Sequence, residues 1–289
     1  MSYVVAVIAP GAMGSAIGRR LHENGVTVRT SLQGRSDAAC VRARASGMED
    51  ADDALIAGSD FILSVVPPSE AMAFATRLSP ALKCAPRKPV FIDCNAVSPK
   101  SVCAVSDVVA ETGTPFVDAS IIGFPPEPDA DGPAIYVSGP HAQEAMVLSA
   151  MGLDLRYLDA PIGAASALKM SYAGITKGLT GLAAAMILAA TRSGAGPALR
   201  AELEKSQPLL LKRFMTSLPD MYPKAYRWVA EMQEISLFAS DDNATHAIYS
   251  GLASLFERLA SDHAGQHVEV AAIEAFLAPL TSTPQRDPT

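Results

Sequence analysis

Five apolar residues, Val4–Ile8, run into Ala9-Pro10-Gly11-Ala12-Met13-Gly14, and from there into Ala12–Asn24, whose apolar side chains recur at helical spacing. A short strand that ends in a glycine-bearing turn and opens a helix limits sharply what the chain can fold into. Gly11 lets backbone approach a pyrophosphate, whose charge sits on the helix N-terminus, and Gly14 permits close packing of helix on strand. Ala9 stands where the first glycine of such a turn would be, so the turn must accommodate a methyl group. A second apolar run, Val26–Ser31, follows at the distance expected of a nucleotide-binding βαβ unit.

The same alternation continues. Phe61–Val66, Val90–Cys94, Pro115–Asp118 and Ala134–Ser138 read as further strands, and Asp37–Ala45 and Ser69–Leu78 as intervening helices. Strands alternating with helices give a mostly parallel sheet covered on both faces. Val65-Val66-Pro67-Pro68 ends its strand abruptly, because proline cannot continue the ladder. Near residue 160 the character changes. Pro161–Gly194 is rich in Ala, Leu, Met and Gly and, after Pro161, free of proline, which predicts one helix of about 30 residues. Further helices are expected over 197–213, 223–240, 244–263 and 268–277. The expected fold is an α/β Rossmann-type domain over 1–160 and an all-α domain over 161–280, with a long helix between them and a disordered tail over 281–289. The Gly/Ala-rich helix 163–192 could admit a helix of a second copy, giving a homodimer through the helical domain; the other reading is an ordinary intrachain core.

Composition excludes several classes. With a net charge of −7 over 289 residues the chain lacks the basic surface of a nucleic-acid binder. Four scattered cysteines form no CxxC and no Cys/His cluster, and of the five histidines only His263 and His267 stand four apart, with just Asp262 and Glu269 as nearby carboxylates, so reduced thiols and no metal are expected. The longest strongly apolar stretch, Gly178–Ala190, is too short for a membrane span. The run Val4–Ile8 lacks the basic flank of a signal peptide. A cytoplasmic protein without membrane contact is expected.

The end of the second strand bears on cofactor choice. An acid there would bind a ribose 2′-hydroxyl. Arg29-Thr30-Ser31-Leu32-Gln33-Gly34-Arg35-Ser36 contains none. Arg35 between Ser31 and Ser36 can instead hold a 2′-phosphate, which favours NADP over NAD; the blander reading of Arg35 is a solvated loop arginine.

Ordered motifs along the chain resemble the β-hydroxyacid dehydrogenase / 6-phosphogluconate dehydrogenase superfamily, in the branch with a variant phosphogluconate-dehydrogenase-like C-terminal domain. They are Gly11-Ala12-Met13-Gly14, Val65-Val66-Pro67, Ile92-Asp93-Cys94-Asn95 with Ser98-Pro99, Phe116-Val117-Asp118-Ala119-Ser120, Gly132-Pro133-Ala134 with Ser138-Gly139, and Gly163-Ala164-Ala165-Ser166-Ala167-Leu168-Lys169. The resemblance implies that Val65, Val66 and Pro67 line the adenosine and ribose side of the cofactor and that Asn95 lies near the nicotinamide ribose. It makes Ser120, Ile121, Ile122 and Gly123 the substrate-anchoring segment, with isoleucines where the family has small polar residues. It makes Lys169 the general acid/base. A lysine in a partly dry cleft can move the hydroxyl proton during hydride transfer, or stabilise a developing alkoxide as an ammonium.

The chain also departs from the family. Tyr172 replaces an asparagine three residues after the lysine; it either hydrogen-bonds substrate or packs. The His and Glu that assist decarboxylation are missing from the face of Lys169, Tyr172, Ala173 and Thr176, which argues against 6-phosphogluconate as substrate. Gln233-Glu234 stands where the family has Lys-Asp, and Trp228, Glu231 and Ile235 share a face that could reach the cleft, making Trp228 and Gln233 candidate substrate contacts. An intrahelical Arg227–Glu231 pair is expected. The leading expectation is an NADP-dependent dehydrogenase or reductase acting on the CH–OH group of a small 3-hydroxy acid or a related alcohol or carbonyl compound, with Lys169, Ser120 and Tyr172 as the reacting set. The alternatives are an imine reductase-like enzyme, or an NADP-binding sensor or structural protein without turnover.

Overall fold

The computed structural model describes residues 3–126 and 132–278. It forms two compact units, the first ending at Met170 and the second starting at Ser171. The expected disordered tail lies outside the described residues.

The first unit is built on one eight-stranded sheet. Its strands are β1 (Val4–Ile8), β2 (Thr27–Thr30), β3 (Met48–Asp50), β4 (Phe61–Ser64), β5 (Val90–Asp93), β6 (Phe116–Ile122), β7 (Ala134–Ser138) and β8 (Asp154–Tyr157). They lie in the order β3-β2-β1-β4-β5-β6-β7-β8. All neighbours run parallel except β6 and β7, which pair antiparallel with Ser120 opposite Tyr136. Helices α1 (Ala12–Glu23), α2 (Asp37–Ala45), α3 (Asp53–Ala57), α4 (Ala71–Cys84), α5 (Pro99–Ala110) and α6 (Ala142–Ala145) connect the strands. Both faces of the sheet are buried. Val5, Val7, Leu63 and Ile92 belong to one apolar cluster, and Ala6, Ile8, Ile62 and Phe91 to the other. This is why the strands read as near-continuous apolar runs rather than as alternating ones.

Several elements were not expected. β3 and β8 contain only three and four residues, with Glu49, Asp50, Asp154 and Arg156 among them, so they carry little apolar pattern. β6 continues past Asp118 to Ile122. α4 runs through Pro80 to Cys84 instead of stopping at Leu78. An interior proline costs about 3 kcal/mol. Leu78 and Leu82 are both fully buried, and at roughly 1.5–3 kcal/mol per buried leucine that burial offsets it.

The second unit is helical. α7 (Ala164–Arg192) begins in the first unit and continues into the second, followed by α8 (Gly196–Ser206), α9 (Pro208–Met221), α10 (Ala225–Phe238), α11 (Asn243–Ala264) and α12 (Val268–Leu277). The single helix expected over 197–213 is two. Pro208 sits in the first turn of α9, and Gln207 before it has φ −137°, outside the helical range, as residues preceding proline tend to be. α7 is long and apolar enough to cross a membrane by length and composition alone, but half of its apolar window is buried inside the protein. Its glycines serve packing within the chain. A Cβ on Gly174 would come within 2.7 Å of the Tyr249 hydroxyl, and one on Gly181 within 2.6 Å of Leu252, both on α11. The helix that approaches the small-residue face is therefore this chain's own α11. Glu231 on α10 pairs with Lys177 on α7 rather than with Arg227, whose guanidinium lies over the Tyr226 ring.

Candidate active site

Strand β1 lies between β2 and β4, so the chain direction of the sheet order reverses there. In open parallel sheets ligands bind outside the carboxyl ends of the strands at such a switch point. The turn after β1 lies there. Ala9 has φ +78°, the left-handed conformation that a first glycine would adopt freely; holding alanine in it costs about 1 kcal/mol. Gly11 caps α1 in extended conformation, and its carbonyl accepts from Ser15 N at 2.9 Å. A Cβ on Gly14 would lie 2.1 Å from the Ala9 carbonyl oxygen, so only glycine lets the helix start this close to the strand. Ala12 is exposed and Met13 is half-buried against the core. The start of α1 thus presents backbone N–H groups to solvent at the switch point, as a pyrophosphate requires.

A cavity of about 370 Å³ opens beside the end of β2, lined by Ser31, Gln33, Arg35, Val66, Glu70 and Arg77 among others. A second one, about 510 Å³, shares Ser31 and Gln33 and is bordered by Asp50, Asp52 and Asp53. These carboxylates are engaged. Asp50 accepts from Leu32 N at 2.9 Å, Asp52 caps α3 through Leu55 N at 2.8 Å, and Asp53 pairs with Arg77 at 2.8 Å. Arg35 is exposed and has no ion-pair partner among the described residues. Ser36 caps α2, its Oγ accepting from Ala39 N at 3.4 Å, which leaves its O–H to donate. Two arginines that the sequence reading did not single out also lie here: Arg77 on the rim, and Arg42, whose Nε donates to the Pro10 carbonyl at 3.4 Å.

Between β4 and β5 the polar groups brace one another. Val65 N donates to Ile8 O at 2.9 Å, fixing β4 to β1. Asn95 is buried; its Oδ1 accepts from Val66 N at 2.8 Å and its Nδ2 donates to Ser64 Oγ at 2.9 Å. The side-chain amide therefore shapes the Val65-Val66-Pro67 turn, with Pro67 left exposed.

Asp118 ties β6 to the start of α7. It is fully buried and accepts from Gly163 N (2.8 Å), Ser166 N (3.1 Å), Ser166 Oγ (2.7 Å) and Ser138 Oγ (3.0 Å). Ser138 Oγ in turn accepts from Ala165 N at 3.1 Å. Positions three apart share a helix face, so Lys169 follows Ser166 on the side of α7 that meets the sheet. Burial lowers the proton affinity of Lys169, and the nearby Asp93 carboxylate pulls it partly back. A lysine that gives up its proton more readily than usual suits acid–base work.

The other candidate substrate residues have different surroundings, each within its own unit. Ser120 is buried on the same strand face as Asp118, and its hydroxyl has no hydrogen-bond partner. Ile121 packs into the core with Ile135 and Val137, so it is a core residue rather than part of a pocket wall. Ile122 and Gly123 line a cavity with Arg20 and Arg156. Tyr172 is exposed on α7. Trp228 packs edge-on against Phe256 at 5.2 Å and under the Lys177 ammonium at 5.1 Å, while Gln233 is exposed on α10. Two acids were not singled out from the sequence: Asp93, buried at the end of β5, and Asp118, which anchors α7. Both lie within quoted motifs, and an acid inside an apolar strand was the available signal.

A glycine turn at the switch point of a doubly wound sheet defines a dinucleotide-binding protein. Comparison narrows this. Residues 4–164 match the NAD binding domain of 6-phosphogluconate dehydrogenase, and residues 190–259 match a domain of unknown function, DUF1932. The chain belongs to the 6-phosphogluconate dehydrogenase-like family of the β-hydroxyacid dehydrogenase superfamily, in the branch with this variant C-terminal domain. It is 27% identical over 171 residues to an uncharacterized 28.5 kDa protein in the 7S RNA 5′ region of Methanothermus fervidus; the match covers 58% of this chain and 64% of that protein's length. A conserved protein of unknown function, described as structurally similar to 3-hydroxyacid dehydrogenases, is 25% identical with a TM-score of 0.73, over 96% of this chain and all of that one. Mycobacterium tuberculosis 3-hydroxyisobutyrate dehydrogenase, solved with L-serine, shares the fold at 19% identity and a TM-score of 0.73, with 96% and 100% coverage. The family match makes residues 4–164 a dinucleotide-binding domain.

Proposed function

We propose that the protein is an NADP-dependent dehydrogenase or reductase that interconverts a small 3-hydroxy acid, or a related alcohol, with its carbonyl compound. The observation that carries this reading is the place of Lys169. It follows the Asp118–Ser166 anchor by one helical turn and is buried beside Asp93, the last residue of β5, at the carboxyl end of the parallel strands where the glycine turn also opens.

When bound, the nicotinamide supplies the hydride acceptor or donor. Gly11 to Gly14 hold the pyrophosphate on the α1 N-terminus. Val66, Ser31, Gln33 and Arg35, which line one cavity, would enclose the adenosine end, and Arg35 would supply the charge for a 2′-phosphate. Lys169 takes the hydroxyl proton in the oxidation direction and returns it to the carbonyl oxygen in reduction. As an ammonium it also stabilises negative charge on that oxygen. Ser120, buried with an unspent hydroxyl, offers a hydrogen bond to the substrate.

The test is turnover by the whole protein. A panel of small 3-hydroxy acids and alcohols with NADP should yield the absorbance of reduced nicotinamide for at least one member. Tight NADPH binding with no reaction across the hydroxyl and carbonyl panels would overturn the proposal in favour of a binding protein.

We also propose a homodimer. Tyr172, Ile175, Leu182 and Met186 are exposed on α7 at spacings of three, seven and four, an apolar seam of the kind one helix offers another. Sedimentation equilibrium should give twice the chain mass; a monomer at micromolar concentration would remove this reading.

A further inference from the structure

We propose that Asp93 is the positioning residue for Lys169: a buried carboxyl whose charge fixes the state in which the lysine meets substrate. The inference deepens the reading of Lys169 above and rests on it.

Asp93 is the last residue of β5 and pairs in register with Asp118 of β6, so both side chains leave the same face of the sheet. The start of α7 covers that face, because Asp118 accepts from Gly163 N and from Ser166. Lys169, one turn beyond Ser166, is close enough to interact electrostatically with Asp93. Asp93 is 1% exposed. Its Oδ1 accepts from Asn95 N at 2.9 Å, while its Oδ2 is buried with no hydrogen-bond partner. A buried carboxylate oxygen left without a donor is costly. Ser120 Oγ, also unpartnered, projects from this face two residues beyond Asp118.

The groups facing Asp93 are Asp118 from β6, Lys169 from α7, and Cys94 and Asn95 from its own loop. Burial raises the proton affinity of Asp93 and the Asp118 charge adds to this, while Asn95 and Lys169 oppose it; the outcome is a carboxyl pushed up to about 7. Cys94 is no competitor. Burial pushes its thiol far up, so it stays neutral. Asp93 is therefore the group beside Lys169 that changes charge near neutrality. When Asp93 is ionised it favours the ammonium; when protonated it leaves only the desolvation that lowers the proton affinity of Lys169. The coupling is reciprocal, so each group must move the other's titration.

The experiment is NMR titration of the ligand-free full-length chain, which needs no substrate. With [6-¹³C]lysine labelling, the Lys169 signal is assigned by its loss in Lys169→Gln. Asp93→Asn keeps an oxygen to accept from Asn95 N and removes only the charge. It should lower the Lys169 midpoint by about one pH unit, the scale of a nearby opposite charge. An unchanged or raised midpoint would overturn the proposal. If Asp93→Asn fails to fold, the reverse measurement decides. With [4-¹³C]aspartate labelling, the Asp93 carboxyl should titrate near neutrality in the wild-type chain and move upward in Lys169→Gln; no movement would overturn the proposal. Absence of dehydrogenase turnover alongside the expected midpoint shifts would count against the function proposed above and not against this coupling.

Discussion

Lys169→Ala should reduce kcat/KM for the hydroxy-acid or carbonyl substrate by about 10²–10⁴-fold, the usual contribution of a positioned acid–base group, or about 3–5 kcal/mol of transition-state stabilisation. NADPH affinity should change by no more than about twofold, since the glycine turn and the Arg35 cavity lie on other elements. Lys169→Arg separates two parts of the role. Arginine keeps a positive charge for a developing alkoxide but does not release a proton in the working range. It should therefore remain severely impaired if proton transfer is the main contribution, and recover much of the activity if charge alone matters. A loss below tenfold in Lys169→Ala with NADPH still bound would remove the lysine from the mechanism. The alanine substitution itself should be tolerated, because the Asp118 anchor to Gly163 and Ser166 does not pass through residue 169.

How much of this was legible beforehand depends on how local each signal is. The βαβ start, the parallel sheet and the long helix are written in short-range pattern: an apolar run, a glycine turn, a proline-free stretch. β3 and β8 were not, because strands of three and four residues with acids and arginine among them take their place from neighbouring strands rather than from their own periodicity. α4 outran its proline because Leu82 is buried on the sheet, a tertiary fact. In the site, the close turn at Gly11 and Gly14 was readable from residue type and spacing. Ser36 caps a helix as well, because capping a helix and contacting a phosphate use the same residue type at the same kind of position. Ile121 and Ile122 looked equivalent in sequence, and strand alternation sends one into the core and the other toward a cavity. Asp93 escaped notice because its importance lies in what β6 and α7 bring to it, which no local pattern records.

The proposed choice of NADP over NAD rests on Arg35 at the end of a strand without a ribose-binding acid, beside a cavity whose acids Asp50, Asp52 and Asp53 are held by Leu32 N, Leu55 N and Arg77. Arg35→Asp replaces a donor suited to a 2′-phosphate with a carboxylate suited to a ribose hydroxyl. A charge-assisted hydrogen bond is worth about 1.5–3 kcal/mol, and repulsion between the new carboxylate and the phosphate adds to its loss. The residue is exposed and outside the core, so folding should be unaffected. Calorimetric titration of the wild type and of Arg35→Asp with NADPH and NADH tests the cofactor site most directly. The account expects the wild type to bind NADPH more tightly than NADH, and the variant to lose about 100-fold or more in NADPH affinity while NADH binding holds or improves. Equal binding of the two cofactors by the wild type, or an NADPH affinity indifferent to Arg35→Asp, would contradict it.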